Sequence, residues 1–484
     1  MNFNSLEYLI FLPVTILLYF ITPHKYRNYL LLALSYFFYM CWRPEYALLI
    51  LTSTAVTYLC GRLIGSRPRH KKMWVALSLT INLAILFFFK YFNFAADIIT
   101  AVLQKAGLAI TAPSLDVLLP VGISFYTFQA LGYTVDVYRG KLEPEKNFGI
   151  YALFVSFFPQ LVAGPIERST NLLPQFKEKH RFSWENIRLG MLPFLWGMFK
   201  KIVIADQLAV LVNTVYASPA DFLPSQLAVA TAAFAFQIYC DFSAYSDIAR
   251  GSAQMLGFKL MRNFNSPYFA VSVQDFWRKW HISLTTWFRD YLYFPLGGSR
   301  CAKWRNYLNI MIIFLVSGLW HGAALTFIIW GFLNGIYQII GKLLAPVKKA
   351  VLDFFHIPEN PVLTWLRYII TFALICLTWV YFRADSIGDA NLIVSSLLGF
   401  AETGAGSFTL ISMGLSMPAL KVLTGALVLL LAADYLQTRI KLNERINSNI
   451  VVSCAVWFLL LAVIFIFGSY GAGYDPQDFV YFQF

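Results

Sequence analysis

The chain has 484 residues, of which 58% are hydrophobic, 18% aromatic and only 13% charged. So little charge cannot cover the surface of a water-soluble globule of this size, which excludes a soluble enzyme or binding module. The formal net charge of +13 calls for no nucleic-acid partner, because basic loops beside anionic lipid account for it.

Crossing the hydrocarbon of a bilayer takes roughly 20 mostly apolar residues per helix, and such runs recur along the chain. In order they fall at 6–22, 28–42, 45–65, 73–93, 148–166, 187–213, 224–245, 305–323, 324–343, 362–382, 418–434 and 450–470. Segment 117–138 carries Pro120, Gly122, Gly132 and Asp136, which predicts a shorter, interrupted helix or one buried within protein. The expected fold is all-α and polytopic, with about 10–13 transmembrane or re-entrant helices in one integral domain over 1–484. Internal repeats are not evident.

Lysine and arginine counts set the expected orientation. Lys25 and Arg27 follow the first span, and Arg67, Arg69, Lys71 and Lys72 follow the third. Both loops are therefore assigned to the cytoplasm and the N-terminus to the outside. Arg439, Lys441 and Arg445 precede the last span, whereas the tail Gly471–Phe484 has two aspartates and no lysine or arginine, so it too is expected outside. Met1–Tyr8 has no basic region typical of a cleavable signal. Cys41, Cys60, Cys240, Cys301, Cys376 and Cys454 lack any paired spacing. They predict small buried hydrophobes rather than a metal site or disulfide framework.

Three stretches carry polar groups at membrane depth. In Gly197–Lys201, Lys200 and Lys201 interrupt an apolar run and by default would snorkel to the surface; an anionic cofactor is the alternative. In Gln237–Asp247, followed by Arg250, the polar residues cover several faces of a helix. They read either as an ion-pair network or as the wall of a wet cavity. The third is Asp275–Tyr293. At the helical step, Phe276, Trp287, Trp280, Tyr291, Leu284, Trp277 and Phe288 share one arc and Arg278, Arg289, Asp275, Thr286, Lys279 and Asp290 the other. One amphipathic helix lying in an interface, or lining the mouth of a cavity, is expected. His281, near the edge of the apolar arc, is either a buried structural imidazole or a polar group facing substrate.

His321 stands at the end of the apolar run Ile310–Gly322. An ionisable side chain at that depth is costly, and imidazole exchanges a proton near neutral pH. Gly318 and Gly322 flank it one turn apart, so a second backbone or a narrow substrate can approach closely; a small-residue helix contact in which the histidine is merely satisfied is the alternative to a functional role.

These residues resemble the membrane-bound O-acyltransferase family, in its bacterial alginate O-acetylase branch. The resemblance is carried by Asp275–Leu284, Trp287–Tyr293 and Ser317–Ala323, with Pro120–Phe125, Gly164–Arg168, Asp241–Ser243, Asn263–Tyr268 and Phe382–Ala384 in the same order. It implies helices around a central tunnel, with His321 at the family's catalytic histidine and His281 at its second, more variable polar position. Ala324-Leu325 depart from the pattern after the histidine motif, which bears on the pocket beside His321.

The resemblance further implies acyl transfer in a bacterial inner membrane, with no bound cofactor or metal. The donor would be acetyl-CoA or another acyl thioester from the cytoplasm, and His321 would act as general base toward an incoming hydroxyl. The acceptor would be a polysaccharide such as alginate, reached through an extracytoplasmic SGNH-type partner. Peptidoglycan O-acetylation and D-alanyl transfer to teichoic acid are alternatives within the enzyme class, and a membrane transporter lies outside it. The aromatic tail Tyr470–Phe484 either folds back over the helices or docks the partner.

Overall fold

A computed structural model describes residues 1–108, 111–115, 119–356, 358, 360–470 and 479–480. Among them every regular element is helical. Among the described residues seven helices are long and apolar enough to cross a membrane: Tyr46–Ser66, Pro68–Lys105, Pro224–Met255, Leu325–Phe354, Pro361–Arg383, Met417–Ile440 and Ile450–Phe467. Ile450–Phe467 leaves Phe458, Leu459, Phe465 and Ile466 more than 60% exposed. Apolar surface of that extent is what a lipid solvent accepts and water does not.

Several predicted spans have different limits: the run at 224–245 continues to Met255 and that at 324–343 to Phe354. The run at 73–93 belongs to a helix extending through a π-helical turn at Phe87–Tyr91 as far as Lys105, past the polar residues that mark an apparent end. The run at 148–166 is broken: Phe148–Ser156 stops at Phe157, and Phe158–Leu161 restarts with a proline in its first turn. The segment suspected of interruption contains a helix, Ile123–Tyr138, that is buried almost throughout. It starts at Gly122, where φ is +75° and a Cβ would lie 2.6 Å from the Leu161 carbonyl oxygen. Val117 itself lies outside the described residues.

The chain forms two compact units, Met1–Phe194 with Ile248–Met261 and Leu195–Asp247 with Arg262–Phe484. In the first, polar side chains tie apolar helices together: Tyr151 donates to Thr57 (2.7 Å), Ser53 to Asn82 (2.5 Å), and Ser78 and Thr134 share a bond of 3.1 Å. Such bonds are satisfied inside the helix bundle because lipid offers them no partner. Glu167 is also buried here, accepting from the Met261 amide and from Asn171 Nδ2.

The second unit holds both candidate histidines. Its tightest packing joins helix Lys303–His321 to helix Leu325–Phe354. A Cβ on Gly318 would lie 2.2 Å from the Phe327 oxygen, and one on Gly331 would lie 2.3 Å from the Phe314 oxygen. The close approach expected at Gly318 is therefore present. Gly322 is crowded as well, by the Phe327 ring.

Cys60, Cys240 and Cys376 are buried, as expected of small hydrophobes, whereas Cys41 is exposed.

Candidate active site

His321 is the last residue of helix Lys303–His321, and Gly322 turns the chain into extended backbone. Its imidazole is 3% exposed and enclosed by aromatic rings. Trp320 lies 4.9 Å away between centroids, Trp330 5.1 Å and Phe382 5.4 Å, all edge-on. Trp330 stacks on Trp379 at 5.8 Å and 18°, and Trp379 packs against Trp280 at 5.1 Å. Each such contact contributes about 0.5–1.5 kcal/mol beyond simple burial, so the ring around His321 is firmly held. Leu325 is largely exposed, and Phe327 meets Phe382 instead. The Ala324-Leu325 departure thus leaves the aromatic wall intact.

His281 lies 6.4 Å from His321 between ring centroids, so the fold brings the two sequence-flagged imidazoles together. His281 is 1% exposed and meets Phe242 edge-on at 4.6 Å and Trp320 at 5.8 Å.

The single amphipathic helix expected around His281 is not what forms. Helix Val273–Lys279 ends, Trp280 is extended, His281 is left-handed at φ +42°, and helix Ile282–Phe288 begins afresh before a π-helical turn at Arg289–Tyr293. The break is stabilised from outside the segment. The Asn263 carbonyl accepts the Ile282 amide (2.9 Å) and the Asn263 side chain accepts that of Ser283 (3.2 Å), satisfying donors that begin a helix. The Lys279 carbonyl in turn accepts the Asn265 amide at 3.0 Å. The apolar arc survives in part, with Phe276, Trp277, Trp280, Leu284 and Phe288 buried.

A left-handed non-glycine residue costs on the order of 1–3 kcal/mol and persists only where its surroundings fix it. His281 thus sits at the kink, with its ring 6.4 Å from that of His321.

The polar stretches form buried ion pairs. Lys200 and Lys201 are each 1% exposed, so snorkelling is overturned. Lys200 Nζ bonds Asp247 (2.7 Å) and Ser243 (2.6 Å), and Lys201 Nζ lies 2.9 Å from both Asp206 and Asp241. The π-helical turn at Lys200–Ala205 accompanies the inward orientation of the lysines. Asp241 Oδ2 also accepts the Val480 amide at 2.7 Å, and Tyr239 donates to Asp434 at 2.7 Å. Phe479 and Val480 are buried, so these two tail residues fold back onto the helices; the rest of 471–484 lies outside the described residues.

A cavity of about 570 Å³ opens along the helices that carry the histidines, with neither His281 nor His321 among its lining residues. Its wall includes Ile282, next to His281, and Phe314, two helical turns before His321. Arg278, Arg289 and Lys342 contribute cations, and Gln274, Thr285 and Gln338 neutral polar groups. Lys342 Nζ donates to Asn306 Oδ1 at 2.9 Å. Neither Lys342 nor the tryptophans at 330 and 379 stands out in sequence, since each sits in a helix whose pattern alone marks a membrane span.

Residues 146–382 match the model of MBOAT, the membrane-bound O-acyltransferase family, an interval that contains both histidines and the cavity. The chain is 39% identical over 404 residues to “Probable alginate O-acetylase AlgI” of Pseudomonas aeruginosa, covering 83% of this chain and 75% of that one. The chain belongs to the membrane-bound O-acyltransferase family. It is a multi-pass membrane O-acyltransferase. Within the family it is also 36% identical to a peptidoglycan O-acetyltransferase of Helicobacter pylori, over 80% of this chain and 78% of that one. A teichoic acid D-alanyltransferase of Bacillus subtilis is 24% identical over 54% of this chain and 68% of that one.

Proposed function

We propose that this O-acyltransferase moves an acetyl group from a cytoplasmic thioester to an extracytoplasmic polysaccharide such as alginate, with His321 as general base and His281 as the second polar group. The observation that carries this reading is the pair of buried imidazoles 6.4 Å apart in an aromatic enclosure. Hydrogen bonds of about 2.8–3.0 Å from two such rings can converge on one oxygen between them. His321 removes the proton of the incoming hydroxyl, the alkoxide oxygen bonds to the thioester carbonyl carbon, and the tetrahedral intermediate expels the thiolate. The proton held by His321 returns to that sulfur, so the imidazole ends the cycle neutral. Enclosure by aromatic rings excludes water that would otherwise hydrolyse the thioester.

The cavity supports acetyl-CoA as donor. Its cations suit phosphate, and Asn306, which anchors Lys342, lies 15 residues before His321, roughly 22 Å along the helix at 1.5 Å per residue. An extended phosphopantetheine arm covers about 15–18 Å from phosphorus to sulfur, by the bond lengths of an extended chain; the Lys342 and His321 side chains make up the difference.

Arg300, Lys303 and Arg305 lie at one end of the helix pair that carries His321, and Lys348 and Lys349 at the same end. By the positive-inside rule that end faces the cytoplasm, and the corner at His321 faces outward. The same rule puts both termini outside a bacterial inner membrane. An extracytoplasmic SGNH-type partner then completes transfer to the polymer. The Pseudomonas aeruginosa relative favours alginate as acceptor, and the Helicobacter pylori relative supports peptidoglycan as the second reading.

The test is His321→Ala in the producing bacterium, with O-acetyl groups on surface polymers measured by mass spectrometry. Normal membrane insertion with acetylation near background is expected. Near-normal acetylation in that variant refutes the assignment of His321.

A further inference from the structure

Phe479 and Val480 are packed into the interior of the helices. Phe479 is 0% exposed and Val480 3%. Ordering a segment costs backbone entropy, so contacts must hold these residues there. The Val480 amide donates to Asp241 Oδ2 at 2.7 Å, and the other oxygen of that carboxylate is paired with Lys201 at 2.9 Å. The Phe479 ring packs on Tyr245 at 4.4 Å and on Phe242 at 5.7 Å. Phe242, itself 0% exposed, meets His281 edge-on at 4.6 Å and Phe264 at 5.0 Å.

We propose that Phe479 is a positioning residue for acyl transfer: it backs Phe242, and Phe242 fixes the ring of His281. The inference rests on reading His281 and His321 as the acyl-transfer pair. His281 has a left-handed backbone, which its neighbours must hold in place, and the tail supplies one side of that support. The ion pairs of Lys201 anchor the support through Asp241. Removing the Phe479 ring leaves a void behind Phe242, which can then shift away from His281. A displacement of about 1 Å at a reacting group can cost up to 10²-fold in rate. Substrate affinity is untouched, because Phe479 lies behind Phe242 and outside the wall of the donor cavity.

The experiment compares full-length wild type, Phe479→Ala, Phe479→Leu and His321→Ala in membranes of the producing bacterium. It reads coenzyme A thiol released from acetyl-CoA, normalised to monodisperse protein recovered in detergent. For Phe479→Ala, kcat is expected to fall tenfold or more with KM for acetyl-CoA within twofold of wild type. Phe479→Leu, which keeps most of the volume, recovers part of that loss. Where Phe479→Ala yields no folded protein, Phe479→Leu carries the test, with a threefold or larger fall in kcat at unchanged KM. If His321→Ala is inactive while the Phe479 variants keep wild-type kcat per folded molecule, the positioning role is overturned and the acyl-transfer reading stands. If His321→Ala turns over normally, the acyl-transfer reading fails and the positioning role fails with it.

Discussion

Gly318→Ala puts a single methyl group where two helices touch. That carbon would stand 2.2 Å from the Phe327 carbonyl oxygen, against the 3.4 Å at which ordinary contact begins, a shortfall of about 1.2 Å. Backbone oxygen cannot rotate out of the way, so helices Lys303–His321 and Leu325–Phe354 must part by about 1 Å at this level. His321 is one turn further along the first helix, and Trp330, whose ring meets it at 5.1 Å, adjoins Gly331 in the second. The separation therefore acts directly across the His321–Trp330 contact. With His321 in the proposed role of general base, a 1 Å error there costs up to about 10²-fold, equivalent to roughly 2.7 kcal/mol of transition-state stabilisation. Overpacking costs a further 1–3 kcal/mol or so of stability. The control is Gly341→Ala in the second helix, where nothing lies within 4 Å of the new carbon and helix propensity favours alanine by about 1 kcal/mol. Acetyl-CoA turnover per folded molecule should fall about 10²-fold in Gly318→Ala and stay at wild type in Gly341→Ala. Turnover within twofold of wild type in Gly318→Ala, or equal damage from both changes, would refute the reasoning.

Lys201→Met leaves the carboxylates of Asp206 and Asp241 buried without their shared cation, a loss of about 3–5 kcal/mol. Recovery of folded protein from membranes should drop sharply, and adding Asp206→Asn to the variant should restore part of it. Glu167 lies outside the apolar spanning helices, and burial raises its pKa to about 7 from an ordinary 4.5. The protonated form is favoured in the fold, so its contribution to stability is full below pH 4.5, declines as pH rises toward 7, and is constant above. Glu167→Gln should flatten that part of the thermal-midpoint profile in detergent; an unchanged slope assigns the dependence elsewhere. Arg289→Gln and Lys342→Gln should each raise KM for acetyl-CoA about threefold to tenfold, in keeping with partly exposed ionic contacts. KM for S-acetylpantetheine, which lacks phosphate, should not change, and an equal rise for both donors would remove phosphate recognition from the cavity.

Most spans were legible because lipid imposes one rule, an apolar run long enough to cross. The exceptions follow from features that hydropathy averages away. The turn at Phe87–Tyr91 continues a helix through its apparent end, and Phe157 splits an apolar run whose mean character is unaltered. His321 stands out as a candidate because an imidazole at depth is conspicuous and because glycines at 318 and 322 announce a close approach.

His281 was legible as a candidate, but its geometry was not. A helical wheel assumes a continuous helix, and nothing within Asp275–Tyr293 shows that donors at Ile282 and Ser283 are taken by Asn263, almost twenty residues earlier. Lys200 and Lys201 were misread for the same reason. Whether a membrane lysine snorkels or turns inward depends on carboxylates from other turns, here Asp206, Asp241 and Asp247. Local pattern thus reports what a segment tolerates. Capping, pairing and enclosure by distant residues decide what it does, and at this site all three converge: Asn263 makes the kink, Lys201 anchors the carboxylate that holds Val480, and Trp330 and Phe382 close around His321. A pair of imidazoles 6.4 Å apart is therefore a property of four or five separate stretches of chain, which explains why the residues could be named in advance and their arrangement could not.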